Sequence, residues 1–301
     1  MRILLTGASG FIGREIVRPL LATGAEIHAL GRTDPGAPGV RHHPVDLLGD
    51  TDLAAVRAIG ATHLVHLAWN AAPGFWTAPD NLDWVAASIR LVHAFAAGGG
   101  RRAVVAGSCA EYGWGPPRLD EAASPIAPAT LYGTAKASLH ARLAEAAPEL
   151  GLSLAWTRIF FPYGPLERPQ RLLGTLLHAM RSGEAAHFSA GHQRRDFIHV
   201  QDAAAAIAAV LAAPIEGAVN VASGAAVEVR RFVEMAAKIA GMMDRVVFST
   251  QPLPASEPPV IEGAIERLIG GTAYRPGFTL ADGLADAIAQ FRALPTGGGV
   301  R

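Results

Sequence analysis

The stretch Arg2–Gly13, RILLTGASGFIG, decides the fold that we predict for this chain. An apolar run ends at Thr6 and a helical pattern begins at Phe11 and Ile12, which predicts a strand, a tight turn and a helix. The turn and the helix start contain three glycines, Gly7, Gly10 and Gly13. Without side chains there, backbone N–H groups and the positive end of the helix dipole can approach a pyrophosphate. We therefore predict a dinucleotide site.

The glycine spacing is G-x-x-G-x-x-G, whereas the usual dinucleotide fingerprint is G-x-G-x-x-G. A glycine-rich turn also serves any tight connection between a strand and a helix, so the glycines alone leave a purely structural turn open. Their position directly after the first strand favours the dinucleotide interpretation.

Composition limits the classes of function. The 301 residues contain 26 basic and 26 acidic residues, so no overall charge attracts nucleic acid or an anionic membrane. The single cysteine, Cys109, excludes an internal disulfide and is typical of a reducing cytosol. No basic segment precedes the first strand, and the alanine-rich segment 203–213 is shorter than the ~20 residues of a membrane span. We expect a cytoplasmic protein with neither a nucleic-acid nor a membrane partner.

Short apolar runs alternate with helical patterns along the first half of the chain. This alternation predicts an α/β fold with a doubly wound parallel sheet that helices cover on both faces. From Phe161 onward proline and glycine become frequent, which predicts a smaller C-terminal α/β lobe for the substrate. We place the dinucleotide-binding domain at residues 1–162 plus 196–224, and the substrate lobe at residues 163–195 plus 225–301.

The second predicted strand, residues 26–30, ends at Gly31-Arg32, and this end bears on the choice of cofactor. An acidic residue near this strand end would take the ribose 2′-hydroxyl of NAD, whereas an arginine accommodates the 2′-phosphate of NADP. Arg32 is present at this point and the acid is missing, so we predict a preference for NADP, as NADPH, over NAD. Arg32 as a solvated cation and Asp34 as a ribose ligand remain alternatives.

Tyr132 and Lys136 lie four residues apart on a predicted helix, residues 131–145, so both side chains share one face. A nearby ammonium stabilises a phenolate, which makes tyrosine a better proton donor to a carbonyl oxygen. The hydride must come from a cofactor, because no side chain supplies one. Ser108, after the fifth predicted strand, would donate a hydrogen bond to the reacting oxygen; a turn cap is its alternative role.

Several motifs occur in an order and spacing that resemble the nucleotide-sugar branch of the extended short-chain dehydrogenase/reductase family. They are TGASGFIG, HLAW, GSCAEYG, YGTAK, YGP and RDFIHV. The resemblance covers nearly the whole chain. It implies a Rossmann-type lobe, a catalytic Ser-Tyr-Lys triad, a nucleotide-sugar substrate and a homodimer formed by the helices that start near Asn81 and Leu131. It also implies that Lys136 holds the nicotinamide ribose.

The resemblance also implies further contacts. On the cofactor side they are Phe11, Ile12, Asp46, Leu47, Leu67 and Ala68, together with Tyr132. On the substrate side they are Glu111, Tyr112, Arg195 and Phe197. Asp46 could instead cap a turn, and Phe197 could belong to the core. The guanidinium of Arg195 suits diphosphate oxygens, although an ion pair with Asp196 or another neighbour is an alternative.

The residues after Ser108 distinguish subfamilies of the resembled family. Its 4,6-dehydratases read T-D-E, its epimerase-reductases place a cysteine two residues after the serine, and its decarboxylases place a glutamate there. This chain has Cys109 and Ala110. The pattern, followed by Trp114, looks most like NADPH-dependent 4-ketoreductases of nucleotide-linked 4-keto-6-deoxyhexoses. A 4-epimerase with the same triad and a non-enzymatic NADP-binding regulator remain alternatives.

Two tryptophans depart from the pattern of the resembled family. Trp69 stands in place of the second alanine of HxAA, and Trp84 aligns with an asparagine that helps a proton relay or sheet packing. We expect a large ring near the nicotinamide or sugar pocket and a rerouted relay. The chain has no H-E-x-x-H motif, and His42 and His43 would point to opposite faces of a strand, so we predict no metal site.

Overall fold

The computed structural model describes residues 1–49, 53–252, 254 and 256–295. Its strands are β1 (Arg2–Thr6), β2 (Glu26–Gly31), β3 (Val40–Pro44), β4 (His63–His66), β5 (Arg102–Ser108), β6 (Arg118–Leu119), β7 (Ser153–Ile159), β8 (Phe161–Tyr163), β9 (Ala186–Phe188), β10 (Arg194–His199), β11 (Gly217–Val221), β12 (Ala226–Glu228), β13 (Val246–Phe248) and β14 (Val260–Gly263). Its helices are α1 (Phe11–Leu21), α2 (Ala54–Ile59), α3 (Asp80–Ala97), α4 (Leu131–Ala146), α5 (Leu172–Ser182), α6 (Val200–Ala212), α7 (Val229–Ala240), α8 (Glu266–Gly271) and α9 (Leu280–Ala293).

Seven of these strands form a parallel sheet in the order β11-β7-β5-β4-β1-β2-β3. The strand order reverses at β1, which lies between β4 and β2. In sheets of this kind the crevice at the carboxyl ends of the strands, where the order reverses, binds ligands. The predicted fold class, a doubly wound parallel sheet, is confirmed.

The sheet is buried on both faces, as the apolar run of β1 requires. Ile3 and Leu5 point into a core that contains residues of α1 and α6. Leu4, on the opposite face, packs into a core that contains residues of α2, α3 and α4. All three side chains are fully buried, because successive residues of a strand face opposite sides and both sides carry helices.

Two strands end at different points from those predicted, and both differences shape the site. The apolar pattern predicts a fourth strand over residues 62–68, but β4 ends at His66 because the chain bends over the glycine turn. There the Ala68 N–H donates to Oγ1 of Thr6 at 3.2 Å instead of to a neighbouring strand. The apolar pattern predicts the fifth strand over residues 102–106, but β5 continues to Ser108, which still pairs with Ile159 of β7.

A second sheet combines β6 with strands from the later part of the chain, in the order β12-β10-β14-β6, with β8 beside β10. Residues of α5, α7 and α9 form a separate core with Tyr163 and Phe197. Of the residues 196–224 that the sequence assigns to the dinucleotide-binding domain, α6 and β11 pack with the large sheet, whereas β10 belongs to the second sheet. The division into two domains stays a prediction.

The alanine-rich helix α6 lies against the large sheet, with most of its side chains buried. Asp202 in its first turn accepts hydrogen bonds from the backbone of Gly277 and Phe278, at 2.8 and 3.1 Å, and so ties down the segment before α9. Within the described ranges, no helix combines the length and the apolar character that crossing a bilayer requires.

Candidate active site

The glycine turn brings three backbone segments into close contact. Gly7 has a φ of +73°, and a Cβ there would lie 2.8 Å from the backbone nitrogen of Ala68. A Cβ on Gly13 would lie 1.9 Å from the carbonyl oxygen of Gly7. Helix α1 starts after Gly10 with no side-chain cap and no acidic residue in its first turn. The cradle therefore fits the pyrophosphate of a dinucleotide, which the helix N-terminus would attract.

Other predicted cofactor contacts lie along the same edge of the sheet. Phe11 and Ile12 form the first turn of α1 and are partly buried. Leu67 and Ala68 follow β4 directly, and the Leu67 N–H donates to the carbonyl oxygen of Thr6 at 3.2 Å. These residues surround the glycine turn, which places them where a dinucleotide on the cradle would pass.

Arg32 follows the end of β2, two strands from β4, and its side chain is exposed. The carboxylate of Asp34 accepts the backbone N–H of Gly36 at 2.8 Å and so belongs to a local turn. After β3, the carboxylate of Asp46 accepts the N–H of Leu48 at 3.1 Å, which is a turn-capping contact, while Leu47 is buried. Arg32 thus provides an exposed positive charge at the end of β2.

Tyr132 is held near the start of α4, whose N-terminus is capped by Thr130. Its backbone N–H donates to the carbonyl oxygen of Trp76 at 3.1 Å. Its ring lies edge-on to those of Trp69, Phe75 and Trp76, with centroids 6.3, 4.9 and 5.6 Å away. Burial raises the pKa of Tyr132, while the nearby side chain of Ser108 acts in the opposite direction. The tyrosine is therefore a neutral phenol that keeps its proton at neutral pH, and its ring lies in an aromatic pocket.

Ser108 ends β5 and caps the 3-10 turn Cys109–Glu111. Its Oγ accepts the N–H of Ala110 at 3.2 Å, and the serine lies close enough to Tyr132 to lower the pKa of the phenol. The cap, which was the alternative role, and the contact with the tyrosine thus occur together. The structure brings the two predicted catalytic hydroxyls to one point.

Lys136 lies one turn of α4 after Tyr132 and is only 3% exposed. Its Nζ donates to the carbonyl oxygen of Ala106 at 2.7 Å and lies 3.6 Å from the ring centroid of Trp69. Burial lowers the pKa of Lys136 to about 7, although the negative charge of Glu111 opposes that change. The ammonium is therefore easily deprotonated near neutral pH.

The depressed pKa of Lys136 predicts a specific dependence of stability on pH. Between the folded pKa of about 7 and the ordinary value of 10.5, the unfolded chain binds more protons at this lysine than the folded chain does. Stability therefore rises with pH in this window, by up to about 1.4 kcal/mol per unit. Urea unfolding from pH 7 to 9 should show this rise for the wild type relative to Lys136→Met. Parallel curves for the two proteins would contradict it.

Glu111 and Tyr112 require a correction, because both side chains are completely buried. The Glu111 carboxylate accepts the Ser108 N–H at 2.7 Å, Nε1 of Trp156 at 2.9 Å and Nε of Arg158 at 2.9 Å. Arg158 Nη1 also donates to the hydroxyl of Tyr112 at 3.0 Å. The predicted direct contact of Glu111 and Tyr112 with substrate is thus not supported. They belong to a buried polar network that holds the backbone of Ser108.

In this structure Arg195 forms an ion pair and Phe197 belongs to a core, which were the alternatives to direct contact with the substrate. The guanidinium of Arg195 is buried and pairs with Glu257, not with Asp196, and it donates to the carbonyl oxygen of Pro258 at 2.9 Å. Phe197 packs in the second core, with its ring centroid 4.1 Å from that of Phe232. A diphosphate would have to compete with Glu257 for Arg195.

The two residues after Ser108 offer no acid or base. Cys109 and Ala110 are both buried, and burial raises the pKa of the Cys109 thiol to about 12. A thiol that stays protonated at neutral pH is a poor nucleophile or base. These two residues therefore leave Tyr132 as the candidate proton donor of the site.

Sequence reasoning missed most of the aromatic surroundings of the triad. It noted Trp69 and Trp84 as departures, and the structure stacks them with centroids 6.0 Å apart. Phe75 and Trp76 gave no signal, since an aromatic residue in a loop has no periodicity that reports its contacts. Likewise, no signal in the sequence indicated that Glu257, in the loop before β14, would contact Arg195.

Comparison with known proteins adds independent observations. The model of a protein family described as "NAD dependent epimerase/dehydratase family" matches residues 3–222 of this chain. A dTDP-6-deoxy-L-talose 4-dehydrogenase (NAD(P)(+)) of Kitasatospora kifunensis is 31% identical over 80% of this chain and 80% of its own. A dTDP-6-deoxy-L-talose 4-dehydrogenase (NAD(+)) of Aggregatibacter actinomycetemcomitans is 29% identical over 78% of this chain and 88% of its own.

Among solved structures, the UDP-glucose 4-epimerase of Thermus thermophilus in complex with NAD resembles the whole chain. The TM-score is 0.85 and the sequence identity 26%, over 97% of this chain and 99% of that one. The glycine cradle and the cluster of Ser108, Tyr132 and Lys136 thus occur on a fold that this epimerase shares.

Proposed function

Because this chain belongs to the NAD dependent epimerase/dehydratase family, we propose that it reduces the C4 keto group of a nucleoside-diphosphate-linked 4-keto-6-deoxyhexose with NADPH. Family membership supports the coarser part of this proposal, an enzyme that acts on nucleotide sugars with a nicotinamide cofactor. The finer part concerns the reaction, the sugar and the choice of NADPH.

One observation carries the proposal: the side chains of Ser108, Tyr132 and Lys136 lie together at the edge of the sheet that holds the glycine cradle, with the Lys136 ammonium 6.0 Å from the ring centroid of Tyr132. A phenol, a hydroxyl and an ammonium at one point suit proton delivery to a carbonyl oxygen. No other cluster in the described residues combines a proton donor, an oxyanion partner and a dinucleotide cradle.

The residues can divide the chemistry as follows. A nicotinamide held on the cradle, with its ribose near Lys136, would supply the hydride to C4. Ser108 donates a hydrogen bond to the carbonyl oxygen and stabilises the charge that develops there. Tyr132 donates its proton to the same oxygen, so that the keto group becomes an alcohol. The ammonium of Lys136 stabilises the phenolate that remains.

The positions after Ser108 argue against dehydration. Elimination of water needs an acid and a base near the sugar, yet Cys109 is buried with a raised pKa and Ala110 carries no ionisable group. A non-enzymatic regulator would have no need of a buried ammonium within one helical turn of a phenol. A buried ammonium lowers the stability of the folded protein, and groups of this kind are found preferentially at catalytic sites. Its presence therefore favours an enzyme over a regulator.

A 4-epimerase is the second candidate, since the Thermus thermophilus protein with a TM-score of 0.85 is a UDP-glucose 4-epimerase. The same triad can remove and return a hydride without net consumption of cofactor. The two reactions differ in one measurable quantity, the NADPH oxidised per sugar converted.

The test is incubation with NADPH and a panel of dTDP-, UDP- and GDP-linked 4-keto-6-deoxyhexoses, following the loss of NADPH absorbance. We expect stoichiometric oxidation with at least one keto sugar, and the reverse reaction with dTDP-6-deoxy-L-talose and NADP⁺ is included in the panel. Interconversion of UDP-glucose and UDP-galactose without absorbance change would instead establish the epimerase.

Arg32 supports the preference for NADPH, because a guanidinium at the end of β2 can bind a 2′-phosphate. We expect Arg32→Ser to raise the KM for NADPH about tenfold and to leave the KM for NADH nearly unchanged. Arg41→Ser, which removes another exposed arginine from the neighbouring strand β3, is the matched control. Equal changes with both cofactors would show that Arg32 does not read the phosphate.

A further inference from the structure

The indole ring of Trp69 covers the ammonium of Lys136, which lies 3.6 Å from its centroid. We propose that Trp69 is a positioning residue that holds Lys136 in its charged form beside Tyr132 through the face of its ring. The resemblance to the family implies no such contact, because the family motif HxAA has an alanine at the position of Trp69.

Lys136 has few other partners for its charge. One N–H bond of the ammonium is used by the carbonyl oxygen of Ala106, at 2.7 Å. Within the described part of the chain, no carboxylate forms an ion pair with it. A buried ammonium with one hydrogen bond is unfavourable, and the electron-rich face of an indole offsets part of that cost.

The ionisable groups around Lys136 lie on three elements. Glu111, in the turn after β5, favours the charged lysine, while Tyr132 lies one helical turn away on α4 itself. His66 of β4 is buried between Thr6 and Ser88, and burial lowers its pKa to about 3, so it stays neutral. Besides the carbonyl oxygen of Ala106, Trp69 is thus the non-ionisable group close to Lys136 that favours the ammonium over the amine.

Trp69 is itself fixed in place. Its Nε1 donates to Oδ1 of Asn81 at 2.8 Å, and Asn81 is held by the carbonyl oxygens of Phe75 and Ala78. The ring of Trp84 stacks on Trp69 with centroids 6.0 Å apart. Trp84 thus packs against Trp69, while the hydrogen bond to Asn81 fixes the ring that faces the lysine.

The contact has a direct chemical consequence. Lys136 must carry its charge to stabilise the Tyr132 phenolate during proton transfer. If the ring face is lost, the amine forms at lower pH, and the alkaline limb of the pH profile of kcat moves to lower pH.

The kinetic test, which rests on the proposed reduction, compares Trp69→Leu, Trp69→Phe and Trp84→Leu with NADPH and a dTDP-linked 4-keto-6-deoxyhexose. We expect the alkaline limb to move by about one pH unit in Trp69→Leu, equivalent to about 1.4 kcal/mol, and by less in Trp69→Phe, which keeps a ring. Trp84→Leu removes a neighbouring indole of equal size and should leave the limb in place. An unmoved limb in Trp69→Leu, or an equal shift in Trp84→Leu, overturns the proposal.

A second measurement needs no turnover, so its failure is distinct from failure of the proposed function. Titration of the full-length protein should change the near-ultraviolet absorbance of indole as Lys136 loses its proton. We expect Lys136→Met and Trp69→Phe to abolish this change and Trp84→Leu to retain it. A wild type without the change, or a change that persists in Lys136→Met, overturns the proposal.

Discussion

Tyr132→Phe is expected to lower kcat by about 10²- to 10⁴-fold, the usual contribution of a positioned general acid. The substitution removes only the hydroxyl, so the ring keeps its edge-on contacts with Phe75 and Trp76. The cradle at Gly7 and Gly13 is separate from that hydroxyl, and the Kd for NADPH should therefore stay within about twofold of the wild type.

The measurement is steady-state kinetics with the best keto sugar of the panel, together with titration of NADPH fluorescence. Tyr274→Phe serves as the matched control, because it removes a different buried phenol hydroxyl. Turnover at the wild-type rate in Tyr132→Phe would contradict the assigned proton donor. Equal losses in both variants would point to general damage by removing a buried hydroxyl.

Glu111→Gln is expected to lower the free energy of unfolding by about 3–5 kcal/mol. The carboxylate is completely buried and accepts from Ser108, Trp156 and Arg158. An amide of the same size turns one acceptor oxygen into a donor and leaves the guanidinium of Arg158 buried without its counter-charge. The backbone of Ser108 also loses part of its support, so kcat should fall as well.

Urea unfolding followed by tryptophan fluorescence measures this loss. Glu145→Gln on α4 is the control, since this exposed glutamate should change stability by less than about 0.5 kcal/mol. A Glu111→Gln variant as stable as the control would show that the buried pair between Glu111 and Arg158 contributes little.

The fold could be predicted from the sequence because local patterns of residue type determine it. The strand at Ile3–Leu5 has no polar alternation, and such a run is stable only between two layers of helices. The tight glycine turn could be predicted for a related reason. Gly7 and Gly13 leave no room for a Cβ, and this constraint is visible as residue type.

The candidate site was accessible only in part. Tyr132 and Lys136 share a helix face, so their spacing predicts their proximity. Glu111 lies in the same motif as Ser108, yet its carboxylate faces inward to Arg158, a residue 47 positions away. Likewise, the partner of Arg195 is Glu257, in a loop 62 positions away. Contacts over such separations depend on how β5, β7 and β10 are arranged, which no local pattern reports.

The sequence by itself determined the parallel sheet, the glycine cradle and the presence of a phenol and an ammonium on one helix face. These depend on backbone geometry and on short spacings, which residue type encodes directly. The tertiary structure alone decided that Trp69 covers Lys136 and that Glu111 supports Ser108 from within. These side chains are buried and paired only when segments far apart in the sequence pack together, because that packing removes water from around them.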